Sequence, residues 1–210
     1  ISWDKESIIN VLAKRFLSNS PICKLYGISP SAVGISFDKQ VKLIKDVFPK
    51  KMSGGKTGAG GFEWVFRRLT DGQGRICPRD FIYFTKECLR AERKIMEIGR
   101  QDGTSLSLFS DASLKEGYKN VSIGKRDTVL YAEYPRDRKF FEVLSGNKSE
   151  YKSSDLSTLW GLDETETHDT IRRLMRHGFL AHKNDLSGYI AVSMLFRPAF
   201  NLKQGKYRQE

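Results

Sequence analysis

"DETETHDTIRRLMRHG", residues 163–178, runs directly into "FLAHKNDLSGYIAVSML", residues 179–195. In the first stretch Asp163 precedes a helical pattern and Glu166 stands three residues on. That is the spacing of a capping box, with Asp in place of Ser or Thr. Gly178 closes the helix. The second stretch reads as two short strands around a turn from Asn184 to Gly188. Upstream, Phe140, Phe141, Val143 and Leu144 mark a short helix that ends at Gly146, and "SSDLSTLWGL" reads as a second. Three helices followed by a two-stranded wing predict a winged helix-turn-helix over 136–200. The join at Leu174, Gly178, Phe179 and Leu180 is where its third helix would hand over to the wing.

The rest of the chain reads as helix. Ile8, Val11, Leu12 and Phe16 form one apolar stripe between Asp4 and Leu17. "SPICKLYGISPSAVG" breaks that pattern with prolines and glycines and reads as a connection or a set of short turns. Val41, Ile44, Val47 and Phe48 mark a short helix that Pro49 ends, and Phe62, Val65, Phe66 and Leu69 share a face of the next one. After a turn at Asp71-Gly72 comes the longest helix, "CPRDFIYFTKECLRAERKIMEIG", with Pro78 in its first turn and Gly99 past its end. Two further helices are expected near Ser113–Tyr118 and through Arg126–Tyr134.

The chain has 210 residues and a formal charge of +11, enough for two small cores and suggestive of an anionic partner. The basic excess is larger over 1–60 than over 151–210. No apolar run approaches the ~20 residues that cross a bilayer, so no membrane partner is expected. Cys23, Cys77 and Cys88 are odd in number and lack C-x-x-C spacing, which speaks against a disulfide framework or zinc ribbon and makes the cytoplasm the expected compartment. Ile1 enters a helix almost at once, which reads as the C-terminal part of something longer or as the trace of a cleaved tag.

Catalytic motifs are incomplete. Gly55-Lys56-Thr57 spells the end of a phosphate-binding loop. The upstream glycine that G-x-x-x-x-G-K-[ST] requires falls at Lys50, however, and a helix ended by proline precedes the loop where a strand is needed. His168, His177 and His182 lack the i,i+4 pairing of a zinc-binding helix and read as surface residues. Cys77 and Cys88 read as core or near-core thiols. No cofactor or metal site is expected within the chain.

Arg79 is out of place. It stands in the first turn of the longest helix, where the macrodipole disfavours a cation. Either a carboxylate such as Asp80 offsets it, or a phosphate approaches the same helix start.

The order "ISWDKESIINVLAKRF", "FPKKM", "WVFRRLTDGQGRICPRDFIYFTKECLRAE", "VSIGKRDTVLYAEYP" and then the winged helix resembles the C-terminal half of bacterial P-loop ATPases of the STAND/AAA type. The most specific piece is R-x-C-P-R-D-F-I, which looks like the lid-domain PRD element. The resemblance implies a mainly α chain: a helical lid-type bundle over 1–110, a helical connector over 111–135, the winged helix with a small β wing over 136–200, and a basic, frayed tail over 201–210. It implies that Arg79 senses a nucleotide phosphate, with Pro78 and Asp80 shaping the turn. The Walker motifs, ATP and Mg²⁺ would belong to an upstream nucleotide-binding domain of an NTPase parent.

Two surfaces are candidates for partners. On the predicted third helix of the winged unit, Thr165, Thr167 and His168 are placed to reach base edges, and Arg172, Arg173 and Arg176 to reach phosphate, with Lys183 on the wing side. Asp163, Glu164, Glu166 and Asp169 crowd the same helix and would repel DNA, so a protein partner stands beside nucleic acid, and further copies of the chain are a third candidate. The second surface is a basic patch, Lys39, Lys42 and Lys45 at helical spacing followed by Lys50, Lys51 and Lys56, suited to a nucleic-acid backbone or to solvent. The alternative to the ATPase reading is a stand-alone winged-helix DNA-binding regulator.

Overall fold

A computed structural model describes residues 3–53, 59–99, 107–183 and 188–208. The helices are α1 (Lys5–Leu17), α2 (Ser20–Leu25), α3 (Pro30–Gly34), α4 (Phe37–Val47), α5 (Gly61–Leu69), α6 (Pro78–Glu97), α7 (Asp111–Lys125), α8 (Arg138–Glu142), α9 (Ser153–Trp160) and α10 (Glu164–Arg176). The strands are β1 (Lys148–Tyr151), β2 (Leu180–His182), β3 (Ile190–Val192) and β4 (Lys203–Lys206). The protein is thus mainly helical with one small mixed sheet of order β2-β3-β1-β4.

The chain divides into two units, one of residues 1–69 and 76–118 and the other of 70–75 and 119–210. This differs from the expected boundaries. The region expected to be a separate connector is one helical run: α7 continues into a π-helical segment, Arg126–Tyr131, and its residues are shared between the units.

In the first unit, α1 is capped by the Asp4 carboxylate, which accepts from the Ser7 N–H at 2.8 Å. Its apolar stripe buries Ile8, Leu12 and Phe16, while α4 buries Leu43, Ile44 and Val47. Phe48 lies at the middle of this core, its ring 5.6 Å from Phe62 and 5.4 Å from Phe109. The stretch expected to be a connection holds two short helices, α2 and α3, each with proline near its start, where the missing N–H is not needed. Gly117 of α7 packs so closely on α6 that a Cβ would lie 2.4 Å from the Cys88 sulfur.

In the second unit, β1 pairs antiparallel with β3, and β3 with β2. Phe141, Phe179, Phe196 and Phe200 fill the core beneath, with the rings of Phe141 and Phe179 4.8 Å apart. The tail expected to fray supplies β4 instead, which runs parallel to β1. Neither β1 nor β4 carries the alternation of a half-buried strand in its letters, KSEY and KQGK. Their pairing with each other, and that of β1 with β3, makes them strands.

The segment Thr70–Arg75, between α5 and α6 in the chain, belongs to this second unit. Its Gly72 N–H donates to the Gly178 carbonyl at 2.8 Å, and Arg75 pairs with Asp71 at 2.7 Å. Gly178 has φ +72°, and a Cβ there would meet the Asp71 carboxylate at 2.4 Å. The residue that ends α10 is therefore glycine both for its backbone and for the loop packed on it.

Candidate functional site

The start of α6 is built as its sequence requires. Pro78 occupies the first turn, Asp80 is buried, and the Asp80 N–H donates to the Cys77 carbonyl at 3.0 Å. Cys77 caps the helix without a side-chain hydrogen bond. Arg79 is exposed, and among the described residues its guanidinium has no ion-pair partner. The simple pair of Arg79 with Asp80 is thus not formed, and the guanidinium is open to solvent at the helix start.

The same tripeptide recurs. Pro135-Arg136-Asp137 forms a 3₁₀ turn with Arg136 exposed and Asp137 buried. Asp137 accepts from Arg173 Nε at 2.9 Å on one oxygen and lies 2.9 Å from His177 Nε2 on the other. His177 stacks on Tyr134 with ring centroids 3.6 Å apart. The repeat is legible in the letters. It shows what a PRD aspartate does in this unit: it holds the C-terminal end of α10.

Four residues of the expected contact set, three on α10 and one after β2, are placed differently from the expectation. Thr167 is fully buried with its hydroxyl unpaired, so it cannot reach a base edge. It shares the core face with Thr170, Ile171 and Leu174. Arg173 is committed to Asp137, and Arg172 is paired with Asp169. Lys183 donates to Glu150 of β1 at 2.9 Å. Thr165, His168 and Arg176 remain exposed. Thr165 and His168 stand in the half of α10 that carries Asp163, Glu164 and Glu166, also exposed, with the capping box formed through Asp163 and the Glu166 N–H at 2.8 Å. The face that α10 presents to solvent is therefore acidic at its N-terminal end, and most of its cations are neutralised within the unit.

Lys39, Lys42, Lys45, Lys50 and Lys51 are all exposed, while Lys56 lies outside the described residues, as do Gly55 and Thr57. Lys42, Lys45 and Lys50 rim a cleft of about 750 Å³ whose apolar lining includes Ile9, Val41, Ile44, Phe48 and Phe62. Glu6, Asp46 and Glu63 line it too, and Glu63 pairs with Lys5. The cleft has mixed charge. The element ahead of the glycine loop is helix α4, so the described residues do not provide the strand that a phosphate-binding loop needs, and they do not fit ATP with Mg²⁺.

Among the described residues no three His, Cys, Asp or Glu side chains converge to hold a metal. No helix is long and apolar enough to cross a membrane. Burial pushes the Cys88 thiol well above its ordinary range, and the nearby Glu92 and Glu87 carboxylates add to the shift. Burial likewise raises Tyr151, followed by Tyr207 and Asp155. Both groups stay neutral at physiological pH, which suits packing and not nucleophilic work.

No protein-family model, curated protein or solved structure matches the chain.

Proposed function

We propose that the chain is the C-terminal regulatory module of a P-loop ATPase, a helical lid followed by a winged helix, in which Arg79 senses the phosphate of a nucleotide bound by an upstream domain. The observation that carries this reading is Arg79 itself: an exposed guanidinium without an ion-pair partner among the described residues, at the start of a 20-residue helix. A cation in that place opposes the macrodipole, and an arriving phosphate would be met by the guanidinium at the positive end of the helix. The order α8, β1, α9, α10, β2, β3, with β1 beside β3, supports the winged-helix part of the reading. ATP and Mg²⁺ would be held by the upstream domain.

For the winged helix, a protein partner is favoured over DNA at α10. Arg172, Arg173 and Lys183 already face carboxylates, and exposed acids would repel phosphate. The stand-alone DNA-binding regulator is the alternative.

In the parent ATPase, Arg79→Ala lowers turnover by at least about tenfold while ATP affinity changes little, because the group acts on charge that grows in the transition state. The melting temperature of the variant stays that of the parent, since Arg79 is exposed. Unchanged turnover removes the role assigned to Arg79.

A further inference from the structure

The strand pair that the sequence did not announce makes a surface of its own. An open depression of about 1000 Å³ lies along β1 and β4 and is lined by Lys148, Lys203, Lys206 and Arg208 together with Asn147 and Tyr207. We propose that this depression binds the phosphate backbone of a nucleic acid. The site stands whether or not Arg79 senses nucleotide.

Three observations lead to it. First, pairing sets two of the cations side by side, while Lys206 is in register with Glu150. Lys148 is in register with Lys203, and neighbouring strands lie only ~4.8 Å apart. Like charges in register repel each other. No carboxylate lines the depression among the described residues, and no ion pair is formed there by Lys148, Lys203, Lys206 or Arg208. The nearest acid on these strands, Glu150, is buried and already bonded to Lys183 at 2.9 Å. Among the described residues no other carboxylate compensates this cluster, and an external anion would do so.

Second, an aromatic ring stands among the charges. Beside the depression, Lys206 lies 4.5 Å and Lys152 5.9 Å from the centroid of Tyr189. Tyr207 lines the depression and packs on Tyr151 with centroids 5.5 Å apart. A basic groove with an aromatic ring in it is a combination that takes up nucleic acid without reading its sequence. Third, the other cationic candidates are compromised: the cleft of the first unit carries three carboxylates, and two of the three arginines of α10 are paired with carboxylates. An acidic polypeptide is a weaker match than nucleic acid, because it offers no flat base for Tyr207.

The test is fluorescence anisotropy of the whole chain with labelled oligonucleotides of about twenty nucleotides, single-stranded and duplex, in two unrelated sequences, over a salt series starting near 50 mM. Binding is expected with a steep salt slope and little difference between sequences. The triple variant Lys148→Ala, Lys203→Ala, Lys206→Ala lowers that slope by about three, one for each lost phosphate contact, and weakens both sequences by the same factor. Arginine at the same three positions keeps the slope, and Arg172→Ala with Arg176→Ala leaves it unchanged. Circular dichroism of the variants matches that of the parent, because the replaced side chains are exposed. An unchanged slope in the alanine triple variant overturns the proposal, as does a loss confined to one sequence. Failure of every oligonucleotide near 50 mM salt, with uptake of poly-glutamate instead, overturns it in favour of an acidic protein partner.

Discussion

Cys88 and Thr167 are two buried residues whose chemistry is decided by what lies against them. Cys88 of α6 packs against Gly117 of α7, and burial is the main reason its thiol holds its proton. The sign of the resulting pH dependence is fixed. Below the ordinary thiol range both folded and unfolded chains are protonated, and the group leaves stability unchanged with pH. Above about pH 9 the unfolded chain releases the proton and the folded one does not, so stability falls by up to about 1.4 kcal/mol per pH unit. Urea unfolding from about pH 8 upward is expected to show this fall, and Cys88→Ala to show a shallower one despite being less stable overall. An equal slope in the variant would put the titrating group elsewhere; Tyr151, also raised by burial, keeps its own contribution at still higher pH. Thr167 was legible as a core residue, since it lies four and seven positions before Ile171 and Leu174. Its hydroxyl suggested base contact, and the helical period was the better guide.

Helix α10 is the element whose start, end and face are all local. Asp163 and Glu166 cap each other's backbone N–H groups, and Gly178 ends the helix in the left-handed region. Removing the cap with Asp163→Ala is expected to cost about 1 kcal/mol, read as a shift of the unfolding midpoint at constant m-value. A shift indistinguishable from zero would mean that tertiary packing alone holds the first turn. The run after α7 is different in kind. Its six π-helical residues, Arg126–Tyr131, were expected as an ordinary helix separate from the one before. The Arg126 guanidinium reaches the Ala199 carbonyl at 2.9 Å, and the Ala199 N–H donates to the Ser122 hydroxyl at 3.0 Å. Contacts with a distant segment accompany the widened turn, and nothing in the seven or so residues around it signals them.

At the scale of the whole molecule, the chain is organised by where it returns. Thr70–Arg75 leaves the first unit to join the second and then re-enters the first at α6. A Cβ at Gly72 would lie 2.5 Å from the Leu180 carbonyl oxygen and 2.8 Å from that of Gly178, both backbone atoms that cannot swing aside. Gly72→Ala is therefore expected to destabilise the protein by about 1–3 kcal/mol. Gly34→Ala, where a Cβ meets nothing within 4 Å, serves as the control and leaves the melting temperature nearly unchanged. Equal effects at the two sites would show that the loop does not pack as described. The net charge of +11 is likewise resolved only at this scale: the cations on α10 are largely paired, and those on β1 and β4 are gathered and open.

Helix positions, caps and the inward faces of α1, α4, α6 and α10 follow from the order of residues, because a helix makes its hydrogen bonds within about four residues and its apolar face repeats every 3.6. The exposed, misfit arginine at the start of α6 follows in the same way, from a proline, an arginine and an aspartate in consecutive places. The strands β1 and β4, the Asp137 anchor, the loop at Gly72 and the cation cluster do not. Each arises when segments far apart in the chain are brought edge to edge, and the charges that then meet were, in the sequence, separate lysines with nothing to mark them as neighbours.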